Sequence, residues 1–84
     1  MREAAERAWE RVLVSMHNLS IIGVERAKTL EELSGLAGLD AKETFVYLSD
    51  HEKYGYVGSK IGLDGVKRYF LTGLGVIRVC SLFS

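Results

Sequence analysis

The side chains best suited to covalent or metal chemistry are His17, His51 and Cys80. A nucleophile needs a base within hydrogen-bond reach, and a structural zinc needs four N or S ligands at short spacing. These three residues are scattered, and neither a Walker loop nor a dinucleotide fingerprint accompanies them, so the sequence predicts no enzyme, no metal site and no cofactor. Cys80, with Val79 and Leu82 nearby, reads as a small buried hydrophobe. His51, between Asp50 and Glu52, reads as a surface histidine whose pKa the carboxylates would raise. The remaining chemistry is ionic and aromatic. Lys60, Lys67 and Arg68 cluster around the turn Gly62-Leu63-Asp64-Gly65, either as a solvated hairpin or as phosphate contacts. Tyr47, Tyr54, Tyr56 and Tyr69 could stack on nucleobases, although Tyr56 and Phe70 are expected in the core.

The chain that must position these residues has 84 amino acids, room for a single domain spanning 1–84 with one small core. Eleven basic and eleven acidic groups cancel, so any affinity for polyanions has to come from a local patch. A hydrophobic fraction of 48% argues for a folded globule, while no apolar run reaches membrane-spanning length. Residues 1–10 lack the apolar region of a secretory signal, and one cysteine cannot form an internal disulfide; a soluble, cytoplasmic protein is expected. Proline and glutamine are absent and Asn18 is the sole asparagine, a scarcity of thermolabile amides that leans towards a thermophile.

Hydrophobic periodicity predicts a first helix over about 3–20, with Ala5, Ala8, Trp9, Val12, Leu13, Met16 and Leu19 on one face and Gly23 as its stop. On its wet face Glu3 with Arg7 attracts and Glu6 with Glu10 repels, nearly cancelling. Residues 25–28 read as a polar connector. Thr29 and Glu32 form a capping box that starts a short second helix with Leu30, Leu33, Leu36 and Ala37 inward, ended by Gly38. Asp40 with Glu43 repeats the device, and a third helix with Phe45, Leu48 and Thr44 inward runs to Tyr54 before Gly55. Two strands then flank the glycine-rich turn over about 56–71, and Thr72 caps a final helix over about 73–83. The predicted class is mainly α with a small β-hairpin (α+β).

This order, together with particular motifs, resembles the winged helix-turn-helix family. Thr29-Leu-Glu-Glu-Leu-Ser-Gly-Leu-Ala-Gly-Leu-Asp is similar to that family's first helix and turn, and Leu48 stands where its recognition helix keeps a leucine. Gly55-Tyr-Val matches the entry into the wing, and Leu71-Thr72-Gly73-Leu74-Gly75 resembles the Leu-Thr-x-x-Gly that closes the wing in MarR-like and related archaeal and bacterial regulators. The likeness covers about residues 12–80, with a helix-turn-helix at about 29–54. It departs at His51, where the family has a buried leucine. Ile61-Gly62-Leu63-Asp64-Gly65 also resembles the Gly-x-x-Gly loop of KH domains, but an acid in the variable pair does not suit a phosphate clamp, so it reads as a plain turn.

The resemblance implies a homodimeric, cofactor-free, DNA-binding transcription regulator acting on duplex DNA. Lys42, Glu43 and Val46 would lie near bases, with Lys53 at the end of the recognition helix and Lys60, Lys67 and Arg68 on backbone or minor groove. The free amides at the start of that helix could hold a further phosphate. The nearly uncharged C-terminal run predicts a dimer interface of Trp9, Val76, Val79, Leu82 and Phe83. Charge is unevenly spread: residues 29–57 carry two basic and six acidic groups, and residues 58–84 four and one. The reading head is therefore acidic by composition. That supports the alternative of a winged-helix protein-interaction module docking a basic partner on the helix-turn-helix face.

Overall fold

A computed structural model describes residues 4–83, with side chains from Ala8 onward. The expected helix start at residue 3, the side chain of Ala5 and the Glu3–Arg7 and Glu6–Glu10 pairs lie outside the described residues. Helix α1 spans Ala4–Asn18 and buries Ala8, Val12, Leu13 and Met16 on one face. It stops before Gly23. Ser20 takes the left-handed conformation (φ 57°), the Ser20 amide donates to His17 O and the Ile21 amide to Met16 O. That is a Schellman motif with serine where glycine is usual. Leu19, expected on the buried face, is exposed there.

The connector is more structured than its polarity suggests. Val24–Arg26 makes a 3-10 turn, and Lys28–Thr29 forms strand β1, pairing Lys28 with Tyr69 and Thr29 with Arg68. Helix α2 (Leu30–Ala37) begins with the capping box: the Glu32 amide donates to Thr29 Oγ1 at 3.1 Å and the Thr29 amide donates to Glu32 Oε1 at 2.9 Å. Such a cap contributes about 1 kcal/mol. Gly38 closes α2 at φ 71°. Leu33 and Ala37 are buried, whereas Leu36, expected inward, faces solvent.

Helix α3 (Ala41–Lys53) is capped by Asp40, whose Oδ1 accepts from the Glu43 amide at 2.7 Å. Its inner stripe is Thr44, Leu48 and His51, with Tyr47 packed beside them; Phe45 is half exposed, not inward. Burying Thr44 leaves nothing unsatisfied, because its hydroxyl donates to Asp40 O within the helix. Strands β2 (Val57–Ile61) and β3 (Lys67–Leu71) form the hairpin. With β1 they make an antiparallel sheet in the order β1-β3-β2, one strand more than the expected pair. Helix α4 (Gly73–Leu82) starts at Thr72, whose Oγ1 accepts from the Gly75 amide and donates to Gly55 O.

One core of Val12, Leu13, Met16, Ile21, Leu33, Ala37, Leu48, Val57, Tyr69, Leu71 and Val79 joins all four helices to the sheet. Four helices and a three-stranded antiparallel sheet in this order are a winged helix, an α+β fold in which α2–α3 is the helix-turn-helix and β2–β3 the wing.

Candidate nucleic-acid interface

The inner stripe of α3 dictates its outer one. At 100° per residue, burying Thr44, Leu48 and His51 turns Lys42, Val46, Ser49 and Lys53 towards solvent along a single line, flanked by Phe45. Phe45 is 49% and Val46 58% exposed. The three acids of α3 lie off that line, each held by a neighbour. Glu43 Oε2 accepts from the Tyr47 hydroxyl at 3.0 Å. Asp50 Oδ2 accepts from Trp9 Nε1 at 3.0 Å. Glu52 accepts from Ser59 Oγ at 2.7 Å and pairs with Lys67 at 3.3 Å. Burial and the bond to Glu43 both raise the Tyr47 phenol, which keeps it a donor.

The acidic composition of residues 29–57 is thus largely architectural. Of its six carboxylates, Glu32 and Asp40 serve as helix caps, Glu43 holds Tyr47 on its own helix, and Asp50 and Glu52 hold side chains of neighbouring elements. Asp40 also takes the Glu43 amide at the start of α3, so its carboxylate competes with the phosphate expected there.

The expected basic residues divide into two groups. Lys42, Lys53 and Lys60 are exposed and form no ion pair among the described residues. Lys67 is shared between Glu52 and the face of Tyr69, 5.1 Å from the ring centroid. Arg68 grips Asp64 with both Nη1 and Nη2 at 3.1 and 3.0 Å, and the guanidinium lowers the Asp64 carboxyl to about 2. Arg68 therefore shapes the wing, aided by the Val66 amide donating to the same carboxylate. At the tip, Leu63 is fully exposed.

Beside this surface, Trp9, His51, Tyr54 and Tyr56 form an aromatic cluster joining α1, α3 and the wing entry. His51 is buried, not on the surface as its acidic neighbours suggested, and burial lowers its pKa below the ordinary 6.5 instead of raising it. Val79, expected in a dimer interface, is wholly buried in the chain's own core, and Cys80, expected inside, is exposed. Val76 packs on the core, and Leu82 is half-buried. Trp9 is half-buried with its ring nitrogen used by Asp50, whereas Leu74, Ile77 and Phe83 stand in solvent. An open groove of about 520 Å³ lies elsewhere, floored by Leu19, Ile21 and Leu36 and rimmed by Arg26, Lys28, Glu31 and Glu32.

The periodicity of α3 could have exposed the outer stripe, since 42, 46, 49 and 53 is the complement of 44, 48 and 51. Phe45 is not legible on that surface because its hydrophobicity assigns it to the core. Among the described residues no group of three acidic, histidine or cysteine side chains could hold a metal, and no helix is long and apolar enough to cross a membrane.

No family model and no curated protein matches the sequence. A crystal structure of a "putative DNA-binding protein" from Ralstonia eutropha JMP134 is similar in fold: TM-score 0.76, 21% identity, 92% of this chain and 95% of that one covered.

Proposed function

We propose that this chain is a winged helix-turn-helix transcription regulator that binds duplex DNA as a cytoplasmic homodimer of the MarR-like kind. The observation that carries the reading is the outward stripe of α3, lysine at both ends and free of carboxylate, with Lys60 on the adjoining wing. Lys42 and Lys53 are eleven residues apart, about 16 Å along a helix, a span able to reach phosphates on both sides of a major groove roughly 12 Å wide. The wing lies alongside, where Lys60 would meet backbone, and Lys67 could exchange Glu52 for phosphate. The fold shared with a protein described as a "putative DNA-binding protein" supports the same reading.

Dimerisation is assigned to the uncharged outer face of α4. Leu74, Ile77 and Phe83 are 51%, 66% and 72% exposed, and the helix's one charged side chain, Arg78, turns away towards the Tyr56 ring. Two copies would present six lysines that form no ion pair among the described residues. A labelled mixed-sequence duplex, followed by anisotropy at about 50 and about 200 mM salt, should lose about a thousandfold in affinity for six released counterions. Amide shifts on titration should fall on residues 42–53 and 60–68. A folded protein whose spectrum moves at neither salt would overturn the proposal. That result would favour the second reading, an interaction module, whose support is the groove with its apolar floor and charged rim.

A further inference from the structure

The outer stripe of α3 is unusual in what it lacks. Adenine is commonly read by the bidentate amide of Asn or Gln and guanine by Arg or Lys; α3 contains no Asn, Gln or Arg, and its two lysines stand only at the ends of the stripe. Glu43, whose carboxylate is of the kind that accepts from cytosine, is bonded to Tyr47. Between the two lysines the stripe offers Phe45, Val46 and the hydroxyl of Ser49. The apolar feature displayed in the major groove is the C5-methyl group of thymine, which aliphatic and aromatic side chains contact directly.

We infer that Phe45 and Val46 are specificity residues that read thymine methyl groups in the major groove, making the preferred duplex one with thymines at fixed positions opposite α3. The inference rests on the DNA-binding reading above. The two side chains are neighbours on the exposed face, bracketed by Lys42 and Lys53, so a polyanion held by the lysines brings base edges against an apolar surface. Both are half exposed or more, so they are available without rearrangement of the core.

The test is selection from a random duplex pool with the full chain, followed by resynthesis of the enriched duplex with deoxyuridine for thymidine, one position at a time. That exchange deletes only the methyl group. Burying one such group is worth about 0.8 kcal/mol, or about fourfold in affinity, and one or two positions should show that loss. In the double variant Phe45→Ala, Val46→Ala, uridine and thymidine duplexes should bind equally, with the salt dependence unchanged because the lysines remain. A pool that binds without thymine enrichment, or thymidine and uridine duplexes bound equally by the wild type, overturns the inference and leaves DNA binding standing. No binding to any duplex overturns both.

Discussion

His51 Nε2 lies 2.9 Å from the backbone oxygen of Trp9, and the two rings are 4.2 Å apart. A carbonyl only accepts, so Nε2 carries the proton and Nδ1, which has no hydrogen-bond partner among the described residues, is the unprotonated nitrogen. Protonating Nδ1 would place a charge and an unmatched donor inside the junction of α1 and α3, which is why burial lowers this pKa.

Stability should consequently depend on pH in one direction. The unfolded chain takes up the His51 proton near 6.5 while the folded chain resists it, so the contribution is complete above 6.5 and is lost as pH falls through the lowered folded value. Urea midpoints at pH 7 and pH 5 should show the fall. His51→Leu should remove that part of the pH dependence; an unchanged slope would mean that His51 is not its source.

The lysines should separate by whether they are already paired. Lys42→Ala, Lys53→Ala and Lys60→Ala should each lower the slope of log affinity against log salt by about one per chain. Lys67→Ala and Arg68→Ala should change it by less than half as much, because Glu52 and Asp64 already neutralise those cations. Equal effects at all five positions would show that both pairs open on DNA.

On α4 the expected outcome is a change in mass. Ile77→Glu places a charge at the centre of the uncharged face and should give a monomer by sedimentation, with the circular dichroism of the wild type. A wild-type protein that is already monomeric at about 100 μM would refute the proposed dimer.

Ser20 supplies a test of the backbone. Its left-handed φ of 57° costs a residue with a Cβ about 1–2 kcal/mol, against about 0.5–1 kcal/mol of extra chain entropy for glycine. Ser20→Gly should therefore stabilise by about 0.5 kcal/mol, a rise of roughly 3 °C in Tm. Ser20→Val should destabilise, since a β-branched side chain fits that region badly. Two shifts of the same sign would contradict the Schellman assignment.

The helix boundaries were legible because their signals are local: Thr29 with Glu32, Gly38, the Asp40 cap and Thr72 each specify a boundary within four residues. Strand β1 was not, because two residues without alternation become a strand only by meeting Tyr69 and Arg68. The face of α3 was misjudged for a related reason. Hydrophobicity sends Phe45 inward and His51 outward, but the histidine's bond to Trp9 O satisfies one of its two ring nitrogens and offsets part of the cost of burying it. The acids looked like a repulsive surface because their partners, Trp9, Tyr47, Ser59 and Lys67, include residues distant in sequence.

Thr29 belongs to two structures at once, as the last residue of β1 and the N-cap of α2. The consequence concerns the order of folding. The hairpin β2–β3 and the pair α2–α3 are short-range units that can form within microseconds, whereas pairing Thr29 with Arg68 must close a loop of about 40 residues, at about 3 kcal/mol of entropy. Docking of β1 is accordingly the late step, and transient loss of that pairing loosens the first turn of α2 along with the sheet edge. The amides at the start of α2 should then exchange with solvent together with those of β1, as one opening unit.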